Sequence, residues 1–441
     1  MRERRGDGQR PDRPTASPPG ELRPDPSSSL SRHGSPGTHT KATQICTWAA
    51  HTPRAGPDLP PFRSSCRVVE FAGRTAPTNP AEQMQTPKMQ RAIVQSDQAG
   101  ALAQTSTRPV PAPGPHQVLI RTAAVALNPC DWKMSSAFPT PGAGCGSDYA
   151  GRVVGLGSAV TGLDEDDRVA GAVHANNPIS PESGAYAEYS VVDADQLWRI
   201  PDAMSWAEAA TIGLCGIGTV GMAAWRNLDL PGTPETPSTK QDWVLVYGAS
   251  AANGTMAVQT LKRSGFRVIA TCSPHNFDMV ESFGADKVLD YHSATCAEDI
   301  RTHTKNNLKY VMDIIADAKS LRTCYAAMGR AGGRYVGFEL VPQELAALRK
   351  TIQASWVLGI RMSGREIALE RGYGFPADAD LREFGCDLAR RVEGWARRGE
   401  IRAHPAVIHG DGLDGIIAGV EKLRRREVSG QKLVYLIQGD L

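Results

Sequence analysis

Apolar residues fall into short, regular runs only downstream of about residue 86. The runs at 91–94, 117–127, 149–157 and 168–173 are β-prone and separated by Pro, Gly and Asp turns, which predicts a small β-rich domain. Ser205 with Glu208 three residues on is a capping box that opens a helix, and a second helix after Gly218 leads into the Pro- and Thr-rich loop 231–239. Strands and helices then alternate. An uncharged run at 244–247, suited to a strand buried on both faces, meets a glycine turn and a helix opening near Asn253 and Gly254. Met256, Val258 and Leu261 share that helix's buried face, Gly265 stops it, and 268–270 is the next strand. Strands at 287–290, 310–315, 334–338 and 356–360 continue the alternation, so a parallel sheet with helices on both faces is expected. The tail reads as helix 380–398, strand 406–408, helix 413–424 and strand 432–437.

No such pattern organises residues 1–86. Rich in Pro, Ser, Gly, Thr and Arg, they bury too little apolar surface to offset the entropy of ordering and are expected to be a disordered extension. Glu3, Asp7 and Asp12 interrupt the Arg-rich start, which argues against an amphipathic targeting helix. Met84 and Met89 stand where the periodic pattern begins, as true translation starts would. Residues 1–86 hold 12 Lys/Arg against 8 Asp/Glu, leaving 37 against 39 downstream, a balance that argues against a nucleic-acid surface. Nine cysteines without Cys-x-x-Cys spacing suit the reduced thiols of a cytoplasmic protein. No apolar run reads as long enough to span a membrane.

The stretch 244–273 carries the candidate chemistry. Gly248 permits a sharp turn, Ala249, Ser250, Ala251 and Ala252 keep side chains small, and Asn253 and Gly254 begin a helix whose free N–H groups suit a pyrophosphate; Tyr247 leads into this turn. A cofactor with a free ribose 2'-OH calls for an acid at the end of the second strand, but residues 271–276 read Thr-Cys-Ser-Pro-His-Asn. Neutral hydrogen-bonding groups accept a 2'-phosphate that an acid would repel. NADPH is therefore the expected cofactor, with Ser273 and His275 or Asn276 as contacts.

Asn128-Pro-Cys-Asp-Trp-Lys-Met134, Gly146-Ser-Asp-Tyr-Ala-Gly151, Asp166-Asp-Arg-Val169 and the glycine turn, in that order, resemble the medium-chain dehydrogenase/reductase superfamily. Within it, the segments 270–277 and 304–310, Gly329-Arg-Ala-Gly-Gly333 and Val428-Ser-Gly-Gln-Lys-Leu-Val434 resemble the trans-acting enoyl reductases of fungal polyketide pathways, of the lovastatin type. The similarity runs from about residue 90 to the end. It implies an α/β fold, a Rossmann doubly wound parallel sheet plus a GroES-like β-rich catalytic domain. The division is then 1–86 extension, 87–206 N-terminal part of the catalytic domain, 207–360 NADPH-binding domain and 361–441 completing the catalytic domain. The resemblance also implies hydride transfer from NADPH to the β-carbon of an α,β-unsaturated thioester on the acyl carrier protein of a partner polyketide synthase. A monomer and Tyr291 beside Ser273 at the 2'-phosphate follow from it too, and Asn128 is expected to satisfy backbone near the cofactor.

Zinc alcohol dehydrogenases share this architecture. Cys130 and Cys215 fall at two of their ligand positions, but the third is Ser147, a poor zinc donor, with Asp148 the only substitute, so no metal is expected. Hydrogen-bond donors must then polarise the thioester carbonyl, and a proton must reach the α-carbon. Lys133 is the candidate catalytic residue, against the alternative of a lysine that contacts cofactor phosphate or solvent. Tyr149 and Cys145 are weaker candidates, read more simply as packing residues, and Asp148 is a further one, read more simply as a turn carboxylate. The Arg-rich runs at 390–391, 397–398 and 424–426 read as solvated helix faces or, alternatively, a rim that steers an acidic carrier protein. The segment 357–373 resembles the family less closely than its surroundings, and since the resemblance puts it beside the nicotinamide and substrate cleft, it leaves acyl-chain choice open. Two other functions stay open, a free-standing NADPH quinone or alkenal reductase and a non-catalytic NADPH-binding protein.

Overall fold

The computed structural model describes residues 86–438, and the expectations placed on residues 1–85 lie outside them. β1 (Met89–Gln95) and β2 (Leu102–Pro109) form an antiparallel hairpin. There follow β3 (Gln117–Ala126), α1 (Pro129–Ala137), β4 (Asp148–Leu156), β5 (Arg168–Ala172), β6 (Tyr189–Asp193), β7 (Leu197–Arg199), α2 (Trp206–Ile212) and α3 (Cys215–Met222). The alternating part comprises β8 (Trp243–Tyr247), α4 (Ala252–Arg263), β9 (Arg267–Cys272), α5 (Phe277–Ser282), β10 (Lys287–Asp290), α6 (Cys296–His303), β11 (Tyr310–Asp313), α7 (Ala318–Ala327), β12 (Gly333–Gly337), α8 (Gln343–Ala346) and β13 (Ile352–Trp356). α9 (Ala379–Arg397), β14 (Ala406–His409), α10 (Ile416–Arg424) and β15 (Lys432–Leu436) close the described chain.

Because side chains alternate along a strand, Val244 and Val246 of β8 pack toward α3, α4 and α9, while Leu245 and Tyr247 pack toward α6 and α7. The six parallel strands run β10-β9-β8-β11-β12-β13, the doubly wound order whose direction reverses between β8 and β11. A second sheet runs β14-β15-β3-β4-β5-β7, with β6 on β3. The antiparallel pairing of Val434 with Ala126 stitches the end of the chain into the N-terminal sheet. It sets Lys432 close to the residues that follow β3.

Four details differ from expectation. β2 is largely exposed and polar, and β6 and β7 are short, so none carried a clear signal. The last parallel strand is 352–356 rather than 356–360, because Gly333 pairs with Ile352 and the chain then turns through a 3-10 segment at Gly359–Ser363. α3 begins before Gly218, which lies inside it where a Cβ would come within 2.0 Å of Met362 Cε. Finally, Trp206–Asn227, with a mean hydropathy of 1.3, is long and apolar enough to span a membrane. Its only charges lie near its ends, at Glu208 and Arg226. Yet 89% of that window is buried inside the protein, and the helix breaks at Gly213, where φ is +50°.

Candidate functional site

In open α/β sheets ligands bind outside the carboxyl ends of the strands where the strand order reverses. Here that crevice lies between β8 and β11. Gly248 turns with φ +86°, and the N–H groups of Gly248 and Ala249 donate to Thr271 O at 3.1 and 2.9 Å. A Cβ on Gly254 would sit 2.6 Å from the Ala249 backbone, so only glycine lets α4 start against the end of β8. No side chain caps α4 at Ala251, which leaves its first N–H groups available to an anion. Ser250, Ala251, Ala252 and Asn253 are half-buried around this opening, whereas the Tyr247 side chain is buried, its ring 6.0 Å from that of Tyr291.

At the end of β9 the Ser273 hydroxyl donates to Tyr291 Oη at 3.3 Å, and exposed His275 lies 3.2 Å from Ser429 Oγ. Asn276 is buried and donates to the same Ser429 hydroxyl, which ties the end of β9 to the loop before β15. The carboxylate of Asp290, opposite Cys272 in register, is held by the backbone N–H of His292 at 2.9 Å and by its Nδ1 at 2.8 Å.

Asn128 does more than satisfy backbone. Its Nδ2 donates to Asp148 Oδ2 at 2.9 Å, and its Oδ1 accepts from Lys432 Nζ at 3.0 Å. Lys432 Nζ is also 2.9 Å from Asp148 Oδ2, and Asp148 Oδ1 accepts from the N–H of Cys215 at 3.0 Å and of Leu214 at 3.3 Å. Asp148 is therefore a buried ion-pair partner, not a turn carboxylate. Burial alone would push the Lys432 ammonium down, but the Asp148 charge and hydrogen bond hold it above its ordinary value. Below this group Asp131 accepts from Asn128 N at 2.7 Å and from Tyr186 Oη. Tyr149 and Cys145 are fully buried, and burial raises both well out of the titrating range, as befits packing residues.

Lys133, on α1, reaches Glu339 Oε2 at 3.2 Å, just beyond the carboxyl end of β12. Glu339 also accepts from Tyr373 Oη. Burial would raise the Glu339 carboxyl, but Tyr373 and the Lys133 charge bring it below the usual range. Tyr373 stacks edge-on against Phe138 at 5.4 Å and Trp356 at 5.2 Å, and Trp356 lies 5.9 Å from Phe375. These half-buried aromatics form a ladder joining α1 to the carboxyl ends of the parallel strands.

The donor set does not suit zinc. Ser147 stands where the third ligand would be, and the buried Lys432 ammonium already neutralises Asp148. Among the described residues no group of three His, Cys, Asp or Glu side chains is arranged to hold a metal ion.

Residues 114–202 match the alcohol dehydrogenase GroES-like domain and 252–369 the zinc-binding dehydrogenase family. The trans-enoyl reductase mycC of Thermothelomyces thermophilus is 57% identical over 366 residues, 80% of this chain and 99% of that protein. The chain belongs to the trans-enoyl reductase family. The trans-enoyl reductase xenG of Xenoacremonium sinensis is 48% identical, over 80% of this chain and 96% of that protein. Among solved structures, a putative zinc-dependent alcohol dehydrogenase from Rhizobium etli aligns with TM-score 0.65 at 25% identity, over 80% of this chain and 99% of its own. The CurK enoyl reductase shares the fold with TM-score 0.61 at 18% identity, over 79% and 99%. The reductase is thus a medium-chain dehydrogenase/reductase, a Rossmann doubly wound sheet combined with a GroES-like β-rich domain.

No role was read for three residues of the reductase's site. Lys432 was read within a family segment and the closing strand, and only the β15–β3 pairing brings it to Asn128. Tyr373 ends the divergent segment 357–373, and Glu339 lies in a loop without periodicity. Glu339 stands two residues past its strand, at the sheet end where ligands bind, and that placement was the one available signal.

Proposed function

We propose that this reductase uses NADPH to reduce the α,β-double bond of a thioester carried by an acyl carrier protein domain of a polyketide synthase. The observation that carries this reading is Lys133, an ammonium held by Glu339 at the carboxyl end of the cofactor sheet in a site whose donors do not suit a metal. The open turn at 248–254 would hold the pyrophosphate, and Ser273, His275 and Tyr291, with no acid among residues 271–276, favour a 2'-phosphate. When bound, the cofactor supplies a hydride to the β-carbon. Lys133 then faces the charge that develops on the thioester carbonyl and gives its proton to the α-carbon, and being 46% exposed it is reprotonated from solvent. Glu339 is a positioning residue that keeps the lysine aimed. The half-buried aromatics Phe138, Trp356 and Tyr373 offer the acyl chain an apolar wall.

The enzyme works as a monomer in the cytoplasm, where the seven cysteines of the described residues, all free thiols, stay reduced. NADPH oxidation with butenoyl pantetheine, a butenoyl carrier protein and a small quinone, with NADH as control, tests the reading. Turnover of both thioesters, fastest with the carrier-bound one and with NADPH, is expected. Turnover of the quinone alone overturns it in favour of a general quinone reductase.

A further inference from the structure

Most arginines of the basic runs that stood out in the sequence are already paired. Arg390 and Arg391 pair with Asp387, Arg391 also with Glu235, Arg397 with Glu393, Arg398 with Glu400, Arg424 with Glu421 and Arg425 with Glu427. Of the seven arginines in these runs Arg426 alone has no ion pair among the described residues, which leaves little free charge there for a steering role.

Uncompensated positive charge collects elsewhere. A surface cavity of about 380 Å³ is lined by Arg301, Arg322, Arg330 and Arg349 with Tyr325 and Leu348, and no acid lines it. Arg349 serves the fold. It donates to the carbonyls of Tyr325 at 2.9 Å, Met328 at 3.0 Å and Gly329, and so satisfies the C-terminal end of α7. Arg301, Arg322 and Arg330 are exposed and have no ion pair among the described residues. Beside them Leu348, 57% exposed, is among the most exposed large apolar side chains of the described residues. The arginines come from the last turn of α6, the middle of α7 and the loop entering β12. All of this lies toward the amino ends of the parallel strands, whereas the glycine turn lies at the carboxyl end of β8.

We propose that this cavity docks an acidic segment of the synthase that the enzyme serves, with carboxylates on Arg301, Arg322 and Arg330 and one apolar side chain against Leu348. The inference rests on the carrier-dependent reading above. Guanidinium forks match carboxylates two hydrogen bonds at a time, and arginine beside exposed apolar surface is the composition of an interface. A compact phosphate is the poorer fit, because the helix end at this cavity is the C-terminus of α7, with its carbonyls and negative dipole end, and not an N-terminus. A partner held at the amino ends leaves the opposite cleft free to receive the carrier-borne thioester.

The test compares wild type with the R301E/R322E/R330E triple variant and with Leu348→Ser. Free butenoyl pantetheine and the intact synthase loaded with its unsaturated thioester serve as parallel substrates over a salt series. A fluorescein-labelled Glu-Glu-Leu-Glu-Glu peptide, read by anisotropy with inorganic phosphate and ADP as competitors, reports on the cavity directly. Reduction of the free thioester should stay within about twofold in all variants, while kcat/KM on the synthase falls about tenfold or more in the triple variant and loses its salt dependence. The peptide should bind wild type and not the triple variant, and Leu348→Ser should weaken it. Equal service to the synthase by wild type and triple variant at low salt overturns the proposal. So does a cavity that takes phosphate or ADP but not the peptide. If wild type reduces neither thioester, the proposed function fails, and the peptide measurement still decides the docking site.

Discussion

Lys432 and Asp148 form a salt bridge of 2.9 Å between the first residues of β15 and β4, 284 positions apart in the chain, with side chains only 4% and 0% exposed. Removing one partner of such a pair leaves the other charge uncompensated in a dry interior, which typically costs about 3–5 kcal/mol. Lys432→Met should destabilise the protein by an amount in that range in urea denaturation. Because a buried pair is close to break-even against apolar or neutral replacements, adding Asp148→Asn should recover a substantial part. A double variant no more stable than the single one would show that the pair's geometry, and not its charge balance, matters.

That pair also shows where sequence reading stops. The strand around Lys432 was legible from its apolar run, and Asn128 and Asp148 from family motifs, but the pairing of β15 with β3 is a long-range contact that no local pattern encodes. The dinucleotide half was the most legible because its determinants are local. The uncharged strand, the Gly248 turn, and Gly254 pressed against Ala249 all fall within one stretch, 244–254. Asn276 illustrates the converse. Its segment was placed correctly at the end of β9, yet which of its side chains point inward depended on a loop more than 150 residues away.

Lys133 and Glu339 should separate in their kinetics. If the ammonium gives up the proton, Lys133→Ala should lower kcat about 10²- to 10⁴-fold while NADPH binding, followed by fluorescence titration, is unchanged. Glu339→Gln keeps the hydrogen-bond acceptor for Tyr373 but removes the charge that aims the lysine, so a smaller loss of kcat is expected with little change in KM. Loss of NADPH affinity in Lys133→Ala would instead make the lysine a phosphate contact.

Cofactor choice should turn on Ser273. Introducing a carboxylate there, Ser273→Asp, supplies the acceptor that a ribose 2'-OH prefers and repels a 2'-phosphate. The ratio of kcat/KM for NADPH over NADH should fall at least about tenfold, equivalent to about 1.4 kcal/mol. An unchanged ratio would place the 2'-position away from the end of β9.

Asp131 should give the fold a measurable pH dependence. Burial raises its carboxyl to about 6, against the hydrogen bonds from Tyr186 and Asn128 that pull it down. The unfolded carboxyl titrates near about 3.9. Between these values the native state holds a proton that the unfolded chain has released, so this contribution to stability is full below about pH 4 and is lost as pH rises through about 6. The two-unit difference corresponds to roughly 2–3 kcal/mol. Asp131→Asn cannot titrate and its amide oxygen still accepts a hydrogen bond, so the stability of wild type relative to this variant should decline from pH 4 to pH 6 and level off above pH 7. Urea denaturation of both proteins across that range checks it, and a constant difference would mean that the buried carboxyl titrates as it does in the unfolded chain.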